Sequence, residues 1–286
     1  MDEPPSVPAT NELLRRVAAT GSAVTVHAED PTAFDETRGV ADAPTWDAAR
    51  PAQAEERAFR LLGDAPPSLR IHLAHVTTIQ GLGLVRERGW SCEATAHHLL
   101  LSSNLAPDPR WKVNPPLRSR DEGHRLWERF ANGEVTSLAS DHAPHSFEAK
   151  RGPWASAPSG MPGVETSLPL MLARVRDGDL DLGALVASAC DHPARWMGLP
   201  MGRLAPGHRG HLIVVDFKRL TRVQSSQLHA PCGWTAFEGH PAVFPVEHYH
   251  DGERILEDGE YIGRLTGRVV RPEYAPDGSA SNGVEA

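Results

Sequence analysis

The feature that most restricts the fold is a recurring unit in which a short β-prone run ends in ionisable residues and is followed by a helical pattern. Ala23-Val24-Thr25-Val26 leads into His27-Ala28-Glu29-Asp30, and Ile71-His72-Leu73-Ala74-His75-Val76 is a second strand with a polar end. Trp90-Ser91-Cys92-Glu93-Ala94-Thr95 leads into His97-His98, and Val135 to Ser140 into Asp141-His142-Ala143-Pro144-His145. Helices are predicted over Thr10–Thr20, with Thr10 as N-cap and Gly21 as stop, and after a Thr77 cap with Ile79, Leu82 and Val85 on one face. Further helices are predicted at Ser119–Asn132 behind a Ser119-to-Glu122 capping box, at Val164–Arg176 and at Leu182–Met197.

Strands alternating with helices, with polar residues at the strands' C-terminal ends, describe βα units of a parallel barrel whose site is built on that face. Four strands are legible, whereas a closed (β/α)8 barrel needs eight and typically about 250 residues. The expectation is therefore an α/β protein. Residues 1–201 would form the C-terminal half of such a barrel, about strands 5–8, and 202–271 a small β-rich appendage. Residues 272–286, rich in Asp, Gly, Ser and Asn, would be a disordered tail.

Composition excludes several function classes. A formal net charge of -8 without a basic run argues against a nucleic-acid partner. No stretch approaches the roughly 20 apolar residues of a membrane span, and no secretory signal pattern follows Met1, so the default expectation is a cytoplasmic protein. Cys92, Cys190 and Cys232 fit neither a disulfide framework nor a zinc ribbon and read as reduced small core residues.

The candidate chemistry rests on His27, His75 and Asp141, each at or just past a strand end, where a barrel would gather them. A single such histidine is more often structural. Three strand-end donors of this kind suit zinc, which accepts imidazole nitrogen and carboxylate oxygen and keeps a position open for water in catalytic sites. His97 and His98 read either as a packed ring and a hydrogen-bond donor behind the ligands or as direct neighbours of the metal. His72, three residues before His75, is expected to point away from the site. The proline-stiffened Lys112 to Arg118 stretch and Ser159-Gly160-Met161-Pro162-Gly163 read as substrate loops or as plain turns.

Val26 to Asp30, His75-Val76-Thr77-Thr78, Ala96 to Leu101, Lys112-Val113-Asn114-Pro115-Pro116-Leu117-Arg118 and Ser140 to His145 follow one another in the order and approximate spacing of the class I dihydroorotases. From about residue 10 to 270 the chain resembles that family of the cyclic amidohydrolase superfamily. The resemblance implies an amidohydrolase barrel, one or two Zn2+ ions, His27 and His75 as metal ligands, and Asp141 as ligand and catalytic acid/base. It further implies that Asn114, His145, Ser159 and Gly160 hold the substrate ring and its carboxylate. The implied reaction is the reversible cyclisation of N-carbamoyl-L-aspartate to L-dihydroorotate in pyrimidine synthesis. Allantoinases and dihydropyrimidinases share the shorter motifs and are the enzymatic alternatives. A non-catalytic dihydroorotase-like subunit supporting aspartate transcarbamoylase is the alternative of a different class.

The chain departs from the family pattern in one respect. The His-x-His pair of the family's first strand, the arginine after it and the bridging lysine or aspartate ligand are not found; His248-Tyr249-His250 has the literal spacing but lies in the β appendage. The expectation is an N-terminally truncated chain, a chain completed by a homo-oligomer or a separate half-barrel partner, or a remnant; retention of His27, His75 and Asp141 favours the first two.

Overall fold

A computed structural model describes residues 11–105, 107–264, 267 and 269–270. Thr10 and the tail 272–286 lie outside the described residues. The chain divides into two compact units, Met1–Ser167 with Val223–His240, and Leu168–Arg222 with Pro241–Ala286.

The first unit carries a sheet of four parallel strands, β1 (Ala23–Val26), β2 (Arg70–Leu73), β3 (Ser91–Thr95) and β4 (Ser137–Ala139), hydrogen-bonded in sequence order. Register sets Val26 beside Leu73 and Leu73 beside Cys92, so Ile71, Leu73, Cys92 and Ala94 share one buried apolar face. The opposite face carries Thr25, His72, Ser91, Glu93, Thr95 and Ser137. A parallel sheet is ordinarily apolar on both faces; this one has a polar face.

The helices follow from local signals with some corrections. α1 (Asn11–Ala19) and α6 (Arg120–Ala131) fall within the predicted spans. At α6 the Ser119 hydroxyl accepts from the Glu122 N–H, which is the first half of the predicted box. Gly133, at φ 76°, closes the helix end with a backbone bond to Phe130. α2 (Ala43–Ala49) and α3 (Ala52–Leu62) have no counterpart in the sequence reading. α2 starts at a full Asp42/Thr45 capping box. The buried stripe of α3 contains Glu55 among Ala54, Ala58, Phe59 and Leu62, and a carboxylate in an apolar stripe disguises the helical period. α4 (Leu82–Glu87) begins behind Gly81, so Thr77 caps nothing. α5 (Ala96–Leu100) is capped by Thr95 and carries His97 and His98 in its first turn.

The second unit holds α7 (Ser167–Asp177), α8 (Leu182–Val186), a π-helical stretch Ala187–Asp191 and α9 (His192–Met197). The predicted continuous helix Leu182–Met197 is thus interrupted, and the helix predicted from Val164 starts at Ser167. Strands β5 (Leu212–Val214), β8 (Glu247–His250), β9 (Glu253–Glu257) and β10 (Glu260–Tyr261) form an antiparallel sheet, and β6 (Thr221–Arg222) pairs with β7 (Pro241–Ala242). All three cysteines are free; Cys92 and Cys232 are buried as expected, whereas Cys190 is exposed. Among the described residues no helix is long and apolar enough to cross a membrane.

Candidate active site at the strand ends

Three of the four strands of the parallel sheet deliver a candidate ligand at or just past their C-terminal ends. His27 follows β1 directly. His75 follows β2 after one intervening residue, and Asp141 likewise follows β4. His75 and Asp141 both sit at positive φ, 35° and 42°. That conformation costs a residue with a Cβ about 1–2 kcal/mol, and such strain clusters at functional positions where the surroundings enforce it.

His27 Nδ1 lies 2.9 Å from His75 Nε2, and the rings meet edge to face. His27 Nε2 donates to Glu29, 2.9 Å away, so Nδ1 keeps a lone pair pointing at His75. The Glu29 carboxylate is held in turn by Arg50, 2.7 Å from Oε2, whose guanidinium stacks on Phe34 and Trp46. Burial alone would raise the Glu29 carboxyl; the His27 hydrogen bond and the Arg50 charge outweigh it and hold it at about 2. An imidazole oriented by a buried carboxylate is the usual arrangement of a metal-binding histidine.

His75 is buried, and desolvation with the neighbouring His27 lowers it to about 4. It is therefore neutral at pH 7, the state in which an imidazole ligates. Its Nδ1 is buried with no hydrogen-bond partner, as is Nε2 of His97, which burial and the neighbouring His75 lower to about 3. His98 resolves differently: Nδ1 pairs with the Thr95 hydroxyl and Nε2 with the Pro115 carbonyl, so this ring packs the loop. Burial raises the Asp141 carboxyl, Glu93 adds to the rise and His27 opposes it. Among the described residues no three His, Cys, Asp or Glu side chains converge closely enough to enclose an ion. The geometry gathers a pair of imidazoles, with Asp141 near His27.

His72 corrects an expectation. Alternation counted back from His75 turns it away, but the chain leaves the extended conformation after Leu73, and His72 lies on the polar face opposite Thr25 and Ser91. Its Nε2 pairs with Glu93 at 2.9 Å and its Nδ1 with the Ser91 hydroxyl at 2.7 Å.

The two predicted loops meet. The Lys112 carbonyl accepts from the Gly160 N–H at 2.9 Å and from Lys150 Nζ at 3.0 Å, and Lys150 also donates to the Pro158 carbonyl. Lys150 is buried, and burial with the nearby Lys112 charge lowers it to about 7. Asn114 Oδ1 accepts from Trp46 Nε1, while Lys112 and Arg118 turn inward as framework. His145 Nε2 donates to the Ser159 carbonyl at 2.8 Å, and its own carbonyl accepts from Trp234. The Ser159 carbonyl and the Gly160 N–H are thus engaged internally, leaving the Ser159 N–H and the Gly160 carbonyl. Gly160 has φ 128°, and a Cβ there would stand 2.6 Å from the Ala143 Cβ and 3.1 Å from His145 Nε2. Gly160→Ala is expected to destabilise the chain by about 1–3 kcal/mol and to displace His145. Urea unfolding and the His145 ring resonances check this.

No family model matches the sequence. It is 38% identical over 268 residues to a dihydroorotase of Halobacterium salinarum, covering 91% of this chain and 63% of that protein. It is 34% identical over 285 residues to a dihydroorotase of Methanosarcina mazei, covering 90% and 61%. An L-hydantoinase of Paenarthrobacter aurescens is 32% identical over 273 residues, covering 88% and 60%. The solved L-hydantoinase (dihydropyrimidinase) from Arthrobacter aurescens superposes with TM-score 0.81 at 29% identity, covering 90% of this chain and 64% of that one. Over about nine tenths of its length the chain is similar in sequence and fold to these cyclic amidohydrolases. It is a homologue of dihydroorotases and of an L-hydantoinase. The chain spans about six tenths of the length of the curated relatives it matches.

Proposed function

We propose that these residues supply one side of a zinc-dependent active site that interconverts N-carbamoyl-L-aspartate and L-dihydroorotate. The observation that carries the reading is the His27–His75 pair, 2.9 Å apart at adjacent strand ends, with His75 neutral. In this reading residues 1–201 are the second half of a (β/α)8 barrel and 202–271 an appended β domain. Sequential strand order without reversal supports the barrel, because a doubly wound sheet reverses its order at a switch point.

His27 through Nδ1 and His75 through Nε2 would hold zinc, with Asp141 as the third donor. The metal supplies Lewis acidity, polarising the ring amide carbonyl and making water acidic enough to attack. Asp141, whose carboxyl burial raises, takes the proton of the attacking water and returns it to the leaving ring nitrogen. Glu29 keeps His27 in the Nε2–H form. Asn114 and His145, with the Ser159 N–H and the Gly160 carbonyl, orient the ring and its carboxylate.

Zinc titration against a chromogenic chelator tests the metal site. The chain is expected to bind zinc, and His27→Ala and His75→Ala each to abolish that binding; unchanged binding in both variants refutes the assignment. Because no three donors enclose an ion among the described residues, dihydroorotate turnover by the 286 residues alone is expected to be slow or absent. Robust turnover with stoichiometric metal would show that another ligand set had been overlooked. Hydantoin hydrolysis is the competing reading, supported by the L-hydantoinase relative. A holoenzyme that prefers the neutral ring over the carboxylate-bearing one favours it.

A further inference from the structure

Neither Glu55 nor the helix that carries it has a role in the chemistry above, yet Glu55 is 2% exposed and among the most deeply buried charged groups described. Its four acceptor positions are filled from two consecutive residues. Oε2 takes the Thr77 N–H at 2.9 Å and the Thr77 hydroxyl at 2.6 Å; Oε1 takes the Thr78 N–H at 3.0 Å and the Thr78 hydroxyl at 2.8 Å. A carboxylate offers about four lone-pair sites, so none is left for substrate or solvent. Arg118 closes the cluster, its Nε donating to the Thr77 hydroxyl at 3.0 Å.

The segment so held is the one that leaves β2 through His75. On its near side the Ala74 N–H donates to the Val26 carbonyl; on its far side the Val76 N–H donates to the Glu93 carbonyl. His75, at φ 35°, is bracketed between these bonds and the Glu55 anchor. A non-glycine residue stays in that region only when its surroundings over-determine it. Thr77 and Thr78 have no helix to cap here, since α4 starts behind Gly81, and Glu55 takes the donors a cap would have organised.

We propose that Glu55 is a positioning residue for His75: its carboxylate clamps Thr77 and Thr78 and thereby sets the direction in which the His75 ring leaves the sheet. The link to metal binding rests on the reading of His75 as a ligand; the link to ring orientation does not. The clamp spans two elements and acts on the backbone beyond His75, leaving both ring nitrogens untouched.

The test uses the 286-residue chain, with Glu55→Gln as the main variant because it keeps the volume but replaces one acceptor oxygen by an NH2 that faces donors. Glu56→Gln, at a partly exposed neighbour paired with Arg60, is the control. Three quantities are read: the His75 ring nitrogen resonances, amide exchange at Thr77 and Thr78, and zinc affinity by chelator competition. Glu55→Gln is expected to shift the His75 resonances, to speed exchange at both threonines and to weaken zinc binding about 10- to 100-fold, with Glu56→Gln like wild type. Lowered stability with His75 resonances and zinc affinity unchanged in the folded fraction overturns the proposal and leaves Glu55 a purely structural group. If the wild-type chain takes up no zinc, the metal reading fails by itself, and the resonances and exchange decide on Glu55. Should Glu55→Gln not fold, Thr77→Val is read the same way: displaced His75 resonances support the proposal and unmoved ones overturn it.

Discussion

Lowering the pH of the metal-free chain from 7 to 4 is expected to cost it most of its stability. His75 and His97 are buried neutral, at about 4 and about 3, well below the ordinary histidine value. The unfolded chain therefore binds protons that the folded chain refuses, and stability falls as the pH drops below about 6.5. At about 1.4 kcal/mol for each tenfold difference in proton affinity, the two groups together amount to about 6 kcal/mol at pH 4. That is comparable to the whole stability of many domains, about 5–15 kcal/mol. Glu29 adds a later phase: its carboxyl is held at about 2, so its contribution is complete above about 4.5 and is lost as the pH falls toward 2. Urea midpoints at pH 7, 5.5 and 4 measure the first phase. His97→Leu is expected to flatten it by removing one titrating ring, and a midpoint that does not move between pH 7 and 4 refutes the argument. Bound zinc should shift the loss to lower pH, since protons and metal compete for the same His75 nitrogen.

Arg118→Ala is the substitution with the largest expected effect. The guanidinium is 4% exposed, donates to Asp47 at 2.7 Å, to the Arg50 carbonyl at 2.6 Å and to the Thr77 hydroxyl at 3.0 Å, and offsets the buried Glu55 charge. Truncation leaves two carboxylates whose pKa values burial already raises, Asp47 and Glu55, without their cation. Removing one partner of a buried charge cluster costs about 3–5 kcal/mol, and urea unfolding at pH 7 measures it. A loss below about 1 kcal/mol, the range of an exposed pair, would show that water reaches the cluster. Arg118→Lys is not expected to rescue, because a single ammonium cannot reproduce three divergent bonds from a planar fork.

Arg118 also illustrates where sequence reading stops. Within Lys112 to Arg118 the proline-stiffened stretch reads as a substrate loop or a plain turn, and nothing in it marks Lys112 and Arg118 as buried. In the fold both are framework, and Asn114, the residue of the stretch proposed to meet substrate, is oriented by Trp46 from a helix that the sequence pattern did not disclose. His72 is a second case. Strand alternation predicts its direction only while the chain stays extended, and the positive φ at His75 ends the alternation between them.

What the sequence determined by itself is local. The β-prone runs, the Ser119 cap and the glycine stop at Gly133 are set by neighbours within a few positions, and so is the placement of His27, His75 and Asp141 at strand ends. The tertiary structure alone decided which groups support them. Arg50 on Glu29, Glu55 on Thr77 and Thr78, Lys150 across the Lys112 and Pro158 carbonyls, and His72 on Glu93 join residues 8 to 38 positions apart through buried polar contacts. No helical or strand period encodes such contacts. A buried charge is tolerated only where partners from other elements satisfy it, and those partners are known only once the chain has folded.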